Sequence, residues 1–272
     1  MPFPAVVDLG DIAAGSGGFK IRGENAGDFA VQSVSAAGDV NGDGIDDLIV
    51  GVPFNDGGGY NAGAAYVVFG RADGFASPVD LADIAAGSGG FKIQGENDGD
   101  VAGRSVSAAG DVNGDGIDDL IVGAPDSDDG GAAYVVLGRA GGLASPVDLD
   151  NIAAGSGGFK IQGEIDGVSG LSVSAAGDVN GDGIDDLIVG SHVAAYVVFG
   201  RSDGFASPVD LDDIAAGSGG FRIQGENAVD YAGLSVSSAG DVNGDGIDDL
   251  IVGGSGDDSG GRNAGAAYVV FG

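Results

Sequence analysis

The residues able to do chemistry are oxygen donors at alternate positions of one nine-residue string, DVNGDGIDD. In its first copy Asp39, Asn41, Asp43 and Asp47 hold positions 1, 3, 5 and 9, and Ile45 offers a backbone carbonyl at position 7. The string returns as Asp111, Asn113, Asp115, Ile117 and Asp119, then as Asp178, Asn180, Asp182, Ile184 and Asp186. A last copy brings Asp241, Asn243, Asp245, Ile247 and Asp249. Carboxylate, amide and backbone oxygens are what a hard cation such as Ca2+ takes, roughly six to eight at a time. Alternate residues of a tight loop can turn their oxygens inward, and Gly42 and Gly44 permit the turn. Three crowded carboxylates repel one another unless a cation sits among them. The expectation is one Ca2+ for each of the four loops. Mg2+ fits less well, because it wants strict octahedral geometry and keeps its waters.

The first six positions of the loop follow the EF-hand pattern, but the rest do not. An EF-hand ends on a bidentate Glu at position 12, where this sequence has Val50 in an apolar run. The loop is therefore shorter and joins two strands. Asp46, at position 8, is expected to point away from the ion, as a supporting or solvated group.

Composition narrows the partners. Lys and Arg total 10 against 42 Asp and Glu, a net charge of -32. Nucleic acid needs a basic footprint, so it is excluded, and anionic membrane surfaces are disfavoured. Salt adaptation or divalent cations would account for so many carboxylates. The chain has no Cys, which rules out disulfides and thiolate chemistry. Its one His, His192, reads as a tight-turn residue and leaves no room for a multi-histidine metal site. Gly supplies 58 of 272 residues, yet apolar residues still make up 43%. That excludes a disordered chain, and the missing three-residue period excludes collagen. No apolar run reaches the ~20 residues that span a bilayer. The start, MPFPAVVDLG, shows no signal-peptide pattern.

Other strings repeat in step with the aspartate loop. F(K/R)I(Q/R)GE begins at Phe19, Phe91, Phe159 and Phe221, and AAYVV(F/L)G at Ala64, Ala132, Ala194 and Ala266. PVDLxxIAAGSGG links one unit to the next, with a partial copy at the N-terminus, and could form one helical turn before Gly ends it. SVSAAG, DLIVG, AAYVV and FKIQ are short, rich in β-branched residues and bounded by turn residues, so they read as strands. Four strands repeated four times predict an all-β, four-bladed β-propeller of four-stranded antiparallel blades in one domain over 1–272. The blades are expected at 33–95, 104–163, 171–225 and 233–272. The last unit lacks its own FKIQGE strand, so 19–24 is expected to close that blade. A monomeric ring follows. The alternative is a larger ring of two chains that exchange this closing strand.

These motifs resemble the FG-GAP repeat family, the calcium-binding blades of integrin α-subunit propellers and of bacterial surface proteins. Phe69-Gly70 and Phe199-Gly200 supply the FG element, Gly123-Ala124-Pro125 the GAP element, and the aspartate loops complete the match. The resemblance implies calcium in the loop between strands 1 and 2 of each blade, and it makes the closing strand a strand 4. The chain carries four units where integrin-type propellers have seven blades. GAP becomes Gly51-Val52-Pro53, Gly190-Ser191-His192 or Gly253-Gly254-Ser255 in the other units, and FG becomes Leu137-Gly138 in the second.

The units differ most between strands 2 and 3 and between strands 4 and 1, on the face opposite the aspartate loops. Phe29, Phe54, Tyr60 and Tyr231 lie there and could stack on a protein or glycan ligand, or simply cover blade edges. Asp126, Asp128, Asp129, Asp257 and Asp258 read as solvated loop charge. The expected function is a non-enzymatic, calcium-stabilised adhesion or interaction module, extracellular or at the cell surface. The alternatives are a lectin or polysaccharide-active enzyme, or an engineered repeat scaffold without a natural ligand. Against an enzyme, no carboxylate pair stands out from the repeated ones, and glycoside cleavage needs two at a set separation.

Overall fold

Turn residues cut the chain into short strands, most of them of five or six residues, and packing decides what those strands do. The computed structural model describes residues 6–127, 130–164, 168–227, 229–262 and 264–272. The inner strands of the four blades are Ser33–Gly38, Ser105–Gly110, Ser172–Gly177 and Ala232–Gly240. Each pairs antiparallel with a second strand: Asp47–Val52, Asp119–Ala124, Asp186–Gly190 or Asp249–Gly254. Third strands follow at Ala64–Val68, Ala132–Val136, Ala194–Val198 and Ala266–Val270. Outer strands Gly90–Gln94, Gly158–Gln162 and Gly220–Gln224 complete the first three blades. The expected all-β, antiparallel blade architecture is what the chain adopts.

In the first three blades the second and third strands are continuous apolar runs covered on both faces, whereas Ile251 and Val269 of the fourth are exposed. Side chains of alternate parity face opposite neighbours. Ile49, Val67 and Ile93 of the first blade share a core with Leu120, Val122 and Tyr134 of the second. Ile121, Val135 and Ile161 then pack on Leu187, Val189 and Tyr196 of the third. Ile188 and Val197 meet Leu250 and Val252 of the fourth. The small residues of SVSAAG let inner strands crowd together, with Ala37, Ala109 and Ala176 fully buried. Hydrogen bonds tie these strands across blades, from Val106 N–H to Ser33 Oγ at 3.1 Å and from Val236 N–H to Ser172 Oγ at 3.2 Å.

The PVDL string does more than link. It lies between the third and outer strands, where Val79–Asp80, Val147–Asp148 and Val209–Asp210 form two-residue strands. Val147–Asp148 and Val209–Asp210 each run parallel to the outer strand of the preceding blade, giving those sheets a fifth strand. The five-residue helices that follow, such as Leu81–Ala85, begin at an Asp whose side chain accepts from the backbone two residues on. Glu96 then bridges blades: it accepts from the Tyr134 hydroxyl and pairs with Lys160 at 3.1 Å.

The expected closure does not form. Ile21–Arg22, within 19–24, pairs in parallel with Val79–Asp80, and Ala266–Val270 ends a three-stranded sheet. Residues 19–24 are held against the first blade by the Phe19–Phe75 ring stack at 4.0 Å and by the bond from Tyr66 to Glu24. Each inner strand packs on its sequence neighbour, and no core cluster joins the first and fourth blades.

Blade contact is close enough to require glycine in the second strand. A Cβ on Gly123 would lie 2.1 Å from the Gly170 carbonyl oxygen of the next blade, and one on Gly51 would lie 2.0 Å from that of Gly103. Gly123→Ala is expected to lose about 2–3 kcal/mol, the cost of forcing backbones apart. Denaturant unfolding measures it, and a loss under ~0.5 kcal/mol, the size of a surface change, would contradict the tight junction.

Candidate functional site: the aspartate loops

Position 1 of each loop organises the turn. Asp39 accepts from the Asp43 N–H at 3.0 Å and from the Gly44 N–H at 2.7 Å, one per carboxylate oxygen. Asp111, Asp178 and Asp241 repeat both bonds at 2.7–3.1 Å. Asp43 in turn accepts from the Ile45 N–H at 3.0 Å. Gly44 sits at φ 85° with open space around it, so backbone conformation and not crowding demands glycine there. At position 3, Asn113, Asn180 and Asn243 accept from the N–H of position 5 at 2.8–2.9 Å. Asn41 instead directs its amide to Asp47, 3.4 Å away.

Position 9 has a different job. Asp47, Asp119, Asp186 and Asp249 are fully buried at the base of the loops. One oxygen of each accepts from the glycine that ends the FG element: Gly70, Gly138, Gly200 or Gly272, at 2.7–3.1 Å. In the last three blades the other oxygen accepts from Val112, Val179 or Val242 at 2.9–3.1 Å. This explains the FG glycine, since a Cβ on Gly70 would lie 2.4 Å from the Asp46 carbonyl oxygen. Burial pushes the Asp119 carboxyl up to about 7, and those of Asp47 and Asp186 to about 6; the backbone N–H donors partly oppose this. The negative neighbours at positions 5 and 1 raise each further.

The structure thus exposes position 5 in every loop, leaves position 1 half-buried in the first three, and keeps position 9 fully buried; position 3 ranges from buried at Asn41 to exposed at Asn180 and Asn243. Ile45 lies between, its side chain packed over Gly70. Among the described residues, no three acidic or imidazole side chains are gathered in a ready-made metal cage. The rim carboxylates face the loop's own N–H groups. The donor set is all oxygen, and each carboxylate oxygen keeps a lone pair beyond its N–H bond, which fits a hard cation.

The role of position 8 was not legible in the sequence. The Asp118 carboxylate reaches back to the preceding blade and accepts from Asp39 N–H at 2.8 Å. Asp185 does the same to Asp111 at 2.9 Å, and Asp248 to Asp178 at 3.2 Å. This residue staples one blade to the loop of the one before. Nothing in a single repeat signals it, because the partner lies about seventy residues away by the repeat period.

The opposite face carries exposed aromatics. Phe29 and Tyr60 are largely solvent-exposed, and Phe29 meets Phe54 edge-to-face at 5.7 Å. Phe29, Val101 and Tyr231 all hold a left-handed backbone, φ 48–58°. Such strain gathers where loops serve ligands. Asp257 departs from the solvated reading: it is buried and accepts from the Tyr268 hydroxyl at 2.8 Å. Asp126 is exposed, and Asp128 and Asp129 lie outside the described residues.

Comparison with known proteins agrees with the blade repeat. The FG-GAP repeat matches residues 30–68, 102–136, 169–206 and 232–270. Integrin alpha-PS5 of Drosophila melanogaster is 31% identical over 187 residues, 66% of this chain and 17% of that protein. Integrin alpha pat-2 of Caenorhabditis elegans is 31% identical over 238 residues, 80% of this chain and 17% of that protein. Integrin alpha-5 of Xenopus laevis is 30% identical over 180 residues, 64% of this chain and 16% of that protein. The matched stretch is thus about a sixth of the length of these relatives. With four matched repeats that coincide with the four blades, the chain belongs to the FG-GAP repeat family.

Proposed function

We propose that this chain is a non-enzymatic interaction module whose aspartate loops each bind Ca2+ and whose opposite face receives a protein partner. The carrying observation is that the same bond from the position-5 N–H to the position-1 carboxylate builds one oxygen-donor loop in every blade, with position 5 exposed at its rim. Asp39, Asn41 and Asp43, with the Ile45 carbonyl, would hold the ion, and Asp47 would fix the loop beneath it. Bound Ca2+ supplies charge neutralisation, and the chain's own residues supply the shape. The partner face is supported by the exposed, strained aromatics Phe29 and Tyr231 and by the integrin relatives. Adhesion at a cell surface or outside the cell is the setting that suits such loops, since calcium there is plentiful. Among the described residues no helix is long and apolar enough to cross a membrane.

Calorimetric titration of chelator-treated protein with CaCl2 tests the reading. The expected result is about one site per loop, four in all. A titration without binding would overturn it.

A further inference from the structure

Each aspartate loop holds an Asn followed by a Gly, a pair open to attack by its own backbone. The pairs are Asn41-Gly42, Asn113-Gly114, Asn180-Gly181 and Asn243-Gly244. The glycine nitrogen can close a five-membered ring on the Asn side-chain carbonyl, because no Cβ shields it and its backbone turns freely. The string AGDVNGDGIDDLIVG surrounds all four pairs alike, so their intrinsic reactivity is the same. Any difference between them belongs to the fold.

Ring closure makes two demands. The side-chain amide must fold back along the turn with its carbonyl polarised, and the glycine nitrogen must not be tied up in a hydrogen bond of its own. The loops meet these demands unequally. Asn41 is buried, and its amide is engaged by Asp47, 3.4 Å away. Asn180 and Asn243 do fold back, their Oδ1 atoms accepting from the Asp182 and Asp245 N–H groups at 2.9 and 2.8 Å. Yet the Gly181 and Gly244 N–H groups donate to the carboxylates of Asp178 and Asp241, at 2.8 and 2.6 Å. These charge-assisted bonds occupy the attacking nitrogen. Asn113 meets both demands. Its Oδ1 accepts from the Asp115 N–H at 2.8 Å, and its Nδ2 donates to Asp115 Oδ2 at 3.1 Å. Among the described residues the Gly114 N–H has no acceptor. The Asp115 N–H also points at the oxygen on which negative charge develops as the ring closes. The Asp-Gly pair that follows in each loop is shielded throughout. Gly44, Gly116, Gly183 and Gly246 all donate to the position-1 carboxylate at 2.7–2.9 Å.

We infer that Asn113 is a site of spontaneous, backbone-assisted deamidation in the folded chain, and that the fold protects the other three pairs. The Gly114 nitrogen bonds to Asn113 Cγ, its proton passes through solvent to Nδ2, and the Cγ–Nδ2 bond breaks to release ammonia. Water then opens the cyclic imide at either of its carbonyls. Cleavage at Cγ leaves Asp at position 113. Cleavage at the backbone carbonyl leaves isoaspartate, with the main chain routed through Cγ. Both products place a new carboxylate between Asp111 and Asp115. Isoaspartate also adds a methylene to the main chain, which shifts Asp115 and Gly116 out of register with the Asp111 carboxylate that now receives their N–H groups.

The test is incubation of the full chain in chelator and mildly alkaline buffer, followed by tryptic digestion and mass spectrometry. The Lys and Arg positions put the four pairs in four different tryptic peptides, so each is read separately. In the folded chain Asn113 is expected to deamidate roughly tenfold or more faster than Asn180 and Asn243, the scale of one hydrogen bond to a charged group. Asn41 is expected to lag as well. In urea all four are expected to react at one rate, because only the fold distinguishes them. Isoaspartyl methyltransferase labelling of the folded chain is expected to be lost in Asn113→Gln. Equal rates in the folded chain overturn the inference. So does faster reaction at Asn180 and Asn243, the exposed pair, which would mean that exposure governs. An intact Asn113 peptide after the urea sample has reacted, or labelling that persists in Asn113→Gln, overturns it equally. The assay contains no calcium, so its outcome is independent of the calcium titration.

Discussion

Chelator-treated protein is expected to melt roughly 10–20 °C below the calcium-loaded form. A ligand at ten times its dissociation constant stabilises by ~1.4 kcal/mol, so four independent sites contribute roughly 5–6 kcal/mol. For a domain of this size each kcal/mol moves the midpoint by ~2–4 °C. The sum rivals the whole stability of many domains. In the proposed mechanism a cation at the loop neutralises the carboxylates of positions 1 and 5, which the structure holds in one short turn through bonds to its backbone N–H groups. The position-1 aspartate also donates its backbone N–H to the staple carboxylate of the next blade, so a fixed loop steadies the junction as well as the turn. Thermal unfolding with and without calcium measures the shift, with Mg2+ as the control. Asp115→Ala should remove about a quarter of it and leave the chelated midpoint nearly unchanged. An equal shift from Mg2+ would rule out calcium selectivity, and no shift would remove the stabilising role.

Asp119→Ala is expected to lose about 3 kcal/mol of stability whether or not calcium is present. Its carboxylate is fully buried and accepts from Gly138 and Val112, at 2.7 and 3.1 Å. Truncation leaves both N–H groups buried and unpaired, each at ~1–3 kcal/mol. The relief of removing a buried, unpaired charge offsets part of that. Asp119→Asn keeps one acceptor and should lose about half as much. The two positions are therefore expected to separate in experiment, position 5 acting through the ion and position 9 through the fold. Denaturant unfolding in chelator decides it. If Asp119→Ala matched wild type there and differed only in calcium, position 9 would be a ligand and not a strut.

Much of this molecule is legible one repeat at a time. The four DVNGDGIDD strings place their turns and their glycines because a tight loop with φ near 85° at Gly44 is a local matter. The strands follow from short apolar runs between turn residues, and the helices from an Asp cap and a terminating Gly. The unbroken apolar runs of DLIVG and AAYVV suit strands covered on both faces, as they are in the first three blades.

What the repeat could not convey is whatever depends on the neighbouring blade. Asp46 and its counterparts look solvated within one unit, yet three of the four are staples, because their partner belongs to the blade before. Asp47 looks like one more ligand, and only the return of the third strand brings Gly70 onto it. Val79–Asp80 looks like a linker and becomes a strand only beside Ile21–Arg22. Closure was the largest such question. The sequence by itself determined that residues 19–24 copy the outer strand of the other units. Where they sit is decided by contacts with the first blade, the pairing of Ile21–Arg22 with Val79–Asp80 and the stacking of Phe19 on Phe75. Those contacts join segments more than fifty residues apart in sequence, and no periodicity along the chain encodes them.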